Sequence, residues 1–185
     1  METDSFIEQV LISEPEIQTK VKELGNQITQ DYQGKELRVV GILRGAFIFM
    51  ADLIRNIHLP LSIDFMSISS YEGEIESNGV VRILKDLDKP INGQHVLVVE
   101  DIIDTGLTWK HLKEVLSTRS PASLRICALL NKPERRLVSQ LDLDYLGFEI
   151  PNYFVVGYGL DFDEKYRNFP FIFVLKSEYY DQSVR

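Results

Sequence analysis

The chain has 185 residues, of which 44% are hydrophobic and 26% charged, with a formal net charge of -8 at pH 7. This length supports one domain, spanning 1–185, around a single sizeable core rather than two domains. The negative balance provides no general positive field for a nucleic-acid backbone, so an anionic ligand would need a local cluster of donors. We therefore predict a single-domain protein that does not bind nucleic acid.

The composition also indicates where the protein works. The single cysteine, Cys127, excludes an internal disulfide and is typical of a reducing compartment. The N-terminal METDSFIEQV carries acids where a secretion signal carries basic residues, and no apolar run approaches the roughly 20 residues that span a bilayer. We expect a cytoplasmic protein without a membrane partner. The three histidines lie too far apart to suggest a zinc site.

The first half of the chain alternates helical and strand-like patterns. Ser13 and Glu16 form a possible capping box, after which apolar residues recur at helical spacing. We predict a helix at 14–32, a strand at 37–43, a helix at 46–57 and a strand at 61–69. The segment YEGEIESNGV that begins at Tyr71 has no apolar period and is predicted to be a mobile loop before a short strand at 81–84.

The second half continues the alternation. HVLVVE is an apolar run of strand length, Trp109, Leu112 and Leu116 recur at helical spacing after Gly106, and 124–130 is again largely apolar. Buried strands that alternate with helices indicate the α/β class, with a mostly parallel twisted sheet flanked by helices and ligands at the carboxyl ends of its strands. The less regular, aromatic-rich segment 148–180 is predicted to form a lid over the sheet edge.

Three carboxylates, those of Glu100, Asp101 and Asp104, follow the apolar run VLVV. Glu100 and Asp101 fall at the predicted carboxyl end of a strand, and the turn DTGLT then leads into a helix, where backbone N–H groups can bind a phosphate. Ionised carboxylates accept hydrogen bonds from hydroxyls, so a ribose 5-phosphate fits both features. The turn lacks the lysine of a Walker A sequence, which disfavours nucleoside triphosphate hydrolysis by that route.

The segment VLVVEDIIDTGLT resembles the phosphoribosyl diphosphate motif of the type I phosphoribosyltransferases. LRGAFIFMADL, SSYEG, LLNKPERR and IPNYFVVGYGLDFDEKYRNFP are similar, in this order from Leu43 to Pro170, to the hypoxanthine phosphoribosyltransferase branch. The resemblance implies the type I fold with a small hood formed by the N-terminal and C-terminal segments. It also implies magnesium-dependent transfer of ribose 5-phosphate from phosphoribosyl diphosphate to N9 of hypoxanthine, and also of guanine, giving IMP or GMP and pyrophosphate. We further expect a homo-oligomer, a dimer or tetramer.

The resemblance also implies roles for individual residues. It assigns phosphoribosyl binding to Glu100, Asp101, Asp104, Thr105, Gly106, Leu107 and Thr108, pyrophosphate binding to Arg44, Gly45 and Arg167, purine binding to Lys132, Phe154, Val155 and Asp161, and magnesium binding to Glu100, Asp101 and Asp161. Ser70 and Tyr71 match the start of the mobile loop. Arg44 and Gly45 match a short loop that often contains a non-proline cis peptide.

For three of these residues the resemblance implies a more specific role. Asp104 matches the acid/base at the purine N7, and we expect neighbouring acids to oppose its ionisation. Lys132 matches the donor to the purine O6, which suits a 6-oxopurine better than adenine. Phe154 matches the ring that stacks on the base, while the backbone of Val155 reads its edge.

Some positions differ from relatives and leave alternatives open. Arg44 and Leu107 stand where some relatives carry lysine, Tyr153 stands where some place lysine before the stacking ring, and the mobile loop is rich in glutamate. An enzyme that prefers xanthine and guanine is one alternative. A regulatory protein that senses phosphoribosyl diphosphate with the same fold is another.

Overall fold

The computed structural model describes residues 5–70, 81–139 and 141–180. The helices are α1 (Glu14–Asp31), α2 (Phe47–Arg55), α3 (Leu107–Ser117) and α4 (Ser177–Tyr180), and a single 3₁₀ turn covers Pro133–Arg135. The strands are β1 (Ile7–Ile12), β2 (Leu37–Leu43), β3 (Leu61–Ser70), β4 (Val81–Lys85), β5 (His95–Ile103), β6 (Ser123–Asn131), β7 (Tyr145–Glu149), β8 (Val155–Val156) and β9 (Ile172–Leu175).

The main sheet has six strands in the order β4-β3-β2-β5-β6-β7. All neighbouring pairs are parallel except β3 and β4. Buried residues of α1 and α2 pack on one face, and those of α3 pack on the other. The predicted α/β class with a mostly parallel sheet is confirmed. From β2 the chain moves outward to β3, whereas from β5 it moves outward in the opposite direction to β6, so the sheet has its switch point between β2 and β5.

Helix α1 begins at the predicted capping box. The Ser13 backbone N–H donates to Glu16 Oε2 at 2.8 Å, which satisfies one N-terminal donor. Gly25 in the middle of this helix has a packing reason, since a Cβ there would lie 2.5 Å from the backbone oxygen of Asn56, just after α2. The glycine therefore allows α1 and the end of α2 to approach closely.

A second, three-stranded antiparallel sheet has the order β1-β9-β8. This sheet joins the N-terminal and C-terminal parts of the described chain, and an aromatic cluster packs against it. The cluster includes Phe6, Phe162, Tyr166, Phe169, Phe171, Phe173, Tyr179 and Tyr180. Many of these rings lie within edge or tilted contact distance of one another, which stabilises this small layer.

Part of the segment predicted as a lid belongs to the main sheet instead. Strand β7 pairs with β6 in parallel and reaches Glu149. It was missed because Gly147 interrupts its apolar pattern, but Gly147 is needed there: a Cβ would lie 2.4 Å from the backbone oxygen of Leu129. The prediction of a lid over the whole of 148–180 is therefore wrong at its beginning.

Two further predictions concern the mobile loop and the absence of a membrane-spanning segment. Strand β3 ends at Ser70, and Tyr71 with the rest of the predicted mobile loop, 71–80, lies outside the described residues. Among the described helices, none combines the length and the apolar character needed to cross a bilayer.

Candidate active site

A cavity opens at the switch point because β5 extends beyond its pairing with β2. The β2–β5 register ends at Gly41 and Val99, whereas β5 stays paired with β6 as far as Ile103. Strand β2 then ends at a cis peptide bond between Leu43 and Arg44, a feature that the loop resembling Arg44 and Gly45 often contains but that the sequence did not decide. The resulting cavity has a volume of about 320 Å³ and is lined by Ile42, Leu43, Arg44, Gly45, Ile68, Glu100, Asp101, Ile102, Ile103, Asp104, Thr105, Gly106, Thr108, Trp109, Asp161 and Arg167.

Two adjacent carboxylates, those of the partly buried Glu100 and Asp101, line this cavity. Glu100 Oε2 has no hydrogen-bond partner among the described residues, and burial, with the charge of Asp101 added, raises the pKa of Glu100 well above its usual value. Burial also raises the pKa of Asp101 to about 6, although hydrogen bonds from backbone N–H groups and the charge of Arg167 act in the opposite direction. Buried carboxylates favour their neutral form unless a cation or donor compensates their charge. The pair is therefore suited to a ligand that brings hydroxyls or a metal ion.

The turn after β5, where the sequence analysis predicts a phosphate site, leads into the N-terminus of α3 beside the cavity. Gly106 has a φ of +83° directly before α3, a conformation that favours glycine. Thr105, Gly106 and Thr108 line the cavity at the N-terminus of this 11-residue helix. Leu107 is not among the lining residues, and its backbone N–H lies 3.4 Å from Thr105 Oγ1, to which it donates.

The surroundings of Asp104 differ from the expectation. Arg135 Nε lies 2.9 Å from Asp104 Oδ1, so the nearest charge is a cation and not another acid. The contact is an ion pair without the orientation of a hydrogen bond. Asp104 lines the same cavity as Glu100 and Asp101, and the sequence analysis did not anticipate its ion pair with Arg135, which lies on the 3₁₀ turn that follows β6.

The opposite wall brings three backbone segments into close contact. A Cβ on Gly45 would lie 1.5 Å from Asp101 Oδ2, and a Cβ on Gly159, where φ is +102°, would lie 2.2 Å from the backbone oxygen of Gly45. Arg167 donates to the Gly159 oxygen at 2.6 Å and forms an ion pair with Asp161 Oδ1 at 2.6 Å. These contacts place the Arg167 guanidinium beside the buried carboxylates.

Comparison with known proteins identifies this arrangement. Residues 10–163 match the phosphoribosyl transferase domain family. A hypoxanthine-guanine phosphoribosyltransferase from Lactococcus lactis is 51% identical over 179 residues, which cover 97% of each chain. A hypoxanthine phosphoribosyltransferase from Haemophilus influenzae is 53% identical over 166 residues, covering 88% of this chain and 92% of that one. The crystal structure of a hypoxanthine phosphoribosyltransferase from Staphylococcus aureus superposes with a TM-score of 0.91 at 50% identity, covering 97% of this chain and 99% of that one.

The chain belongs to the phosphoribosyltransferase family.

In this phosphoribosyltransferase, three of the residues predicted for the purine, Lys132, Phe154 and Val155, lie outside the cavity that holds the acids and the turn, whereas the fourth, Asp161, lines it. Lys132 is only 6% exposed, and its backbone N–H donates to the Ile103 oxygen at 2.9 Å. Val155 is buried in β8, whereas Phe154 is 38% exposed. Asp161 connects the two regions, since it lines the cavity while the ring of the next residue, Phe162, contacts Phe154 at a centroid distance of 5.6 Å.

The predicted magnesium ligands are only partly brought together. In the parts of the chain that the structure describes, no three acidic, His or Cys side chains form a metal-binding group. Asp161 accepts a hydrogen bond from the Glu164 backbone N–H at 2.9 Å and is paired with Arg167, so the three-carboxylate set is not assembled. Glu100 and Asp101 still fit magnesium, because that ion is commonly bound by one or two carboxylates together with water and substrate phosphates.

Two arginines of the site had no assigned role in the sequence analysis. Arg135 and Arg136 lie on a segment that is fastened to the phosphate turn, since the Leu137 N–H donates to the Thr105 oxygen at 3.0 Å. Arg136 Nη2 donates to Asn131 Oδ1, and its Cδ would lie 3.1 Å from a Cβ on Gly106. Both arginines belong to the motif LLNKPERR, but only the fold reveals that Arg135 forms an ion pair with Asp104.

Proposed function

We propose that this chain is a purine salvage enzyme that transfers ribose 5-phosphate from phosphoribosyl diphosphate to N9 of hypoxanthine and guanine. The observation that carries the proposal is the buried pair Glu100 and Asp101, which shares one cavity with the Gly106 turn and with Arg167. That combination suits a ligand with hydroxyls and two separate phosphate groups. The names of the relatives at 51% and 53% identity support the choice of base.

In the proposal, phosphoribosyl diphosphate lies between the Gly106 turn and Arg167, which line the same cavity. The backbone N–H groups and hydroxyls of Thr105, Gly106 and Thr108 bind the 5-phosphate at the positive end of α3. Glu100 and Asp101 accept hydrogen bonds from the ribose hydroxyls or from water on magnesium. Bound magnesium supplies charge neutralisation for the leaving pyrophosphate.

Pyrophosphate is bound on the opposite wall. In the proposal, the backbone of Arg44 and Gly45 provides donors, and Arg167 provides a positive charge that Asp161 holds in place. Arg44 is oriented by Glu164, whose Oε1 accepts its hydrogen bond at 2.6 Å. These groups stabilise the charge that develops on pyrophosphate as its bond to C1′ breaks.

The base binds beside this cavity. Phe154 stacks on the purine, the Val155 backbone reads its edge, and Lys132 donates to O6. As N9 attacks C1′ and pyrophosphate leaves, the Asp104 carboxylate accepts the proton from N7. A lysine that donates to O6 disfavours adenine, because the 6-amino group would present a donor to it.

The proposal also includes a hood, a closing loop, a homo-oligomer and a cytoplasmic location. The small sheet β1-β9-β8 acts as the hood, and the loop that starts at Ser70 and Tyr71 closes over the cavity to exclude water. Phe47 and Ile63 are large apolar side chains that are 43% and 50% exposed, which supports a homo-oligomer. The fully buried Cys127, the single cysteine of the sequence, supports a cytoplasmic location.

A direct assay tests the function. Purified protein with phosphoribosyl diphosphate and magnesium is expected to release pyrophosphate with hypoxanthine and guanine, more slowly with xanthine, and hardly with adenine. A chelator should abolish the release, and added magnesium should restore it. Binding of phosphoribosyl diphosphate without pyrophosphate release from any base would contradict the proposal and favour the sensor.

A further inference from the structure

The ring of Phe154 is supported by a tyrosine near the C-terminus. Tyr180, the last residue of α4, stacks on it with a centroid distance of 4.6 Å and an interplanar angle of 25°. Phe162 contacts Phe154 at 5.6 Å and 87°. This geometry is an offset stack on one side with an edge-on neighbour, an arrangement that aromatic rings favour.

The three centroid distances show which side of Phe154 is occupied. Phe162 and Tyr180 are 6.5 Å apart, which is too short for rings on opposite faces of Phe154. Phe162 therefore lies at the ring's edge, and neither aromatic covers the face opposite Tyr180. Phe154 is 38% exposed as a residue although Tyr180 stacks on one face of its ring, so the opposite face is the one available to a base.

The two residues directly before α4, Leu175 and Lys176, are hydrogen-bonded to the segments that precede β1 and β8 of the small sheet. Lys176 Nζ donates to the Ser5 backbone oxygen at 2.6 Å, and the Lys176 N–H donates to the Phe6 oxygen at 3.0 Å. The Leu175 N–H donates to the oxygen of Phe154 itself at 3.1 Å. Tyr180 is therefore presented to Phe154 from a fixed backbone.

We infer that Tyr180 is a positioning residue for the purine: it stacks on the rear face of Phe154 and holds that ring ready to receive the base on its open face. The inference rests on the proposed role of Phe154. A half-exposed phenylalanine without this support would have to be ordered when the base binds, which lowers affinity. The effect should appear in binding of the base and not in binding of phosphoribosyl diphosphate.

Steady-state kinetics of Tyr180→Leu and Tyr180→Phe test the inference. The leucine variant is expected to raise KM for hypoxanthine by about threefold to tenfold, the range that corresponds to loss of one aromatic pair. KM for phosphoribosyl diphosphate should stay unchanged, and Tyr180→Phe should restore the KM for hypoxanthine because it keeps the stacked ring. Unchanged KM for hypoxanthine in Tyr180→Leu would overturn the inference.

Tyr179→Leu is the matched control. It removes a tyrosine ring from the same helix, but the ring contact of Tyr179 is with Phe6, at 6.4 Å. KM for hypoxanthine should stay at the wild-type value in this variant, with thermal unfolding followed for all proteins. An equal rise in both leucine variants would overturn the inference, since it would indicate general loosening of the small sheet.

Phe154→Leu, alone and combined with Tyr180→Leu, separates this inference from the proposed function. Phe154→Leu should raise KM for hypoxanthine, and adding Tyr180→Leu to it should cause little further rise, because the two rings act as a unit. An unchanged KM in Phe154→Leu overturns the proposed purine site itself. A raised KM in Phe154→Leu together with an unchanged KM in Tyr180→Leu overturns the inference alone.

Discussion

Asp104 has acidic residues before it in the sequence and a basic residue beside it in the structure. The acids Glu100 and Asp101 precede it in sequence, yet its ion pair is with Arg135, at 2.9 Å between Nε and Oδ1. The Arg135 guanidinium therefore places a positive charge beside the carboxylate that directly precedes the Thr105–Gly106 turn. In the proposed function, Asp104 accepts a proton, while Glu100 and Asp101 bind the ribose or magnesium.

Replacing Asp104 with Asn tests this division of roles. The amide is nearly isosteric but cannot accept the N7 proton, so turnover with hypoxanthine should fall by roughly 10²- to 10⁴-fold, the usual range for loss of acid/base catalysis. Calorimetric affinity for phosphoribosyl diphosphate should be retained. Asp142→Asn, at a side chain that is 91% exposed, is the control and should leave turnover unchanged. Wild-type turnover in Asp104→Asn would remove the catalytic role.

Gly45 is required by close approach to Asp101. Alanine there would bring Cβ to 1.5 Å from Asp101 Oδ2, so either the loop or the carboxylate must move. We expect kcat/KM for phosphoribosyl diphosphate to fall by at least about tenfold, equivalent to the lower part of the usual cost of overpacking. The measurement is a steady-state titration of that substrate at saturating hypoxanthine.

Gly93→Ala is the control for a glycine change as such. Gly93 has a φ of +70°, and a Cβ there meets no described atom within 4 Å. This variant should lose thermal stability from backbone strain but keep kcat/KM. A comparable loss of kcat/KM in both variants would contradict the steric argument for Gly45.

At the scale of elements, the site depends on how far each strand continues. Strand β5 extends beyond the last residue paired with β2, and this unpaired edge exposes the two carboxylates to the cavity. The packing of α1 and α2 on one face, and of α3 on the other, fixes the strands that border the gap. A substitution at a contact between helices should therefore change the free energy of unfolding without altering the residues that line the cavity.

The contact between α1 and the end of α2 gives a prediction with an unusual sign. A Gly→Ala change inside a helix normally stabilises it by about 1 kcal/mol. At Gly25 the new Cβ would lie 2.5 Å from the Asn56 oxygen, so Gly25→Ala should instead lower the free energy of unfolding by about 1–3 kcal/mol. Urea denaturation measures the free energy of unfolding. The control is Asn26→Ala, at an exposed position on the same helix, which should change the free energy of unfolding little. Stabilisation by Gly25→Ala would refute the close packing.

At the scale of the whole molecule, the folded protein carries the cost of two carboxylates buried beside each other. The pKa of Asp101 is raised from an ordinary 3.8 to about 6, mainly by burial. Between these values the folded state binds more protons than the unfolded state, so this group makes the folded state progressively less stable as pH rises through that window. The raised pKa of Glu100 acts in the same direction. A bound cation or substrate would offset this cost.

Asp101→Asn should therefore be more stable than the wild type at neutral pH in the presence of a chelator. The shift of about two pH units corresponds to on the order of 2–3 kcal/mol, fully present above about pH 6 and absent below about pH 4. Denaturant unfolding of both proteins across this window measures the difference. A stability difference that does not change with pH would show that Asp101 titrates normally in the folded protein.

The sequence by itself determined the local features. Apolar runs defined β2, β5 and β6, helical spacing defined α1 and α3, and the order of acids, Gly106 turn and helix indicated a phosphate-binding edge. These signals are local because strand burial, helix period and turn conformation act over a few residues. The resemblance to a family added the distant residues of the site, such as Lys132, Phe154 and Arg167.

Only the tertiary structure decided which distant groups meet. It paired Asp104 with Arg135 and Asp161 with Arg167, placed Tyr180 on Phe154, and built a sheet from β1, β8 and β9, whose short segments carry weak patterns. It also opened the gap between β2 and β5, which depends on where pairing stops. Such features arise from packing between segments far apart in the chain, and no local period or turn encodes them.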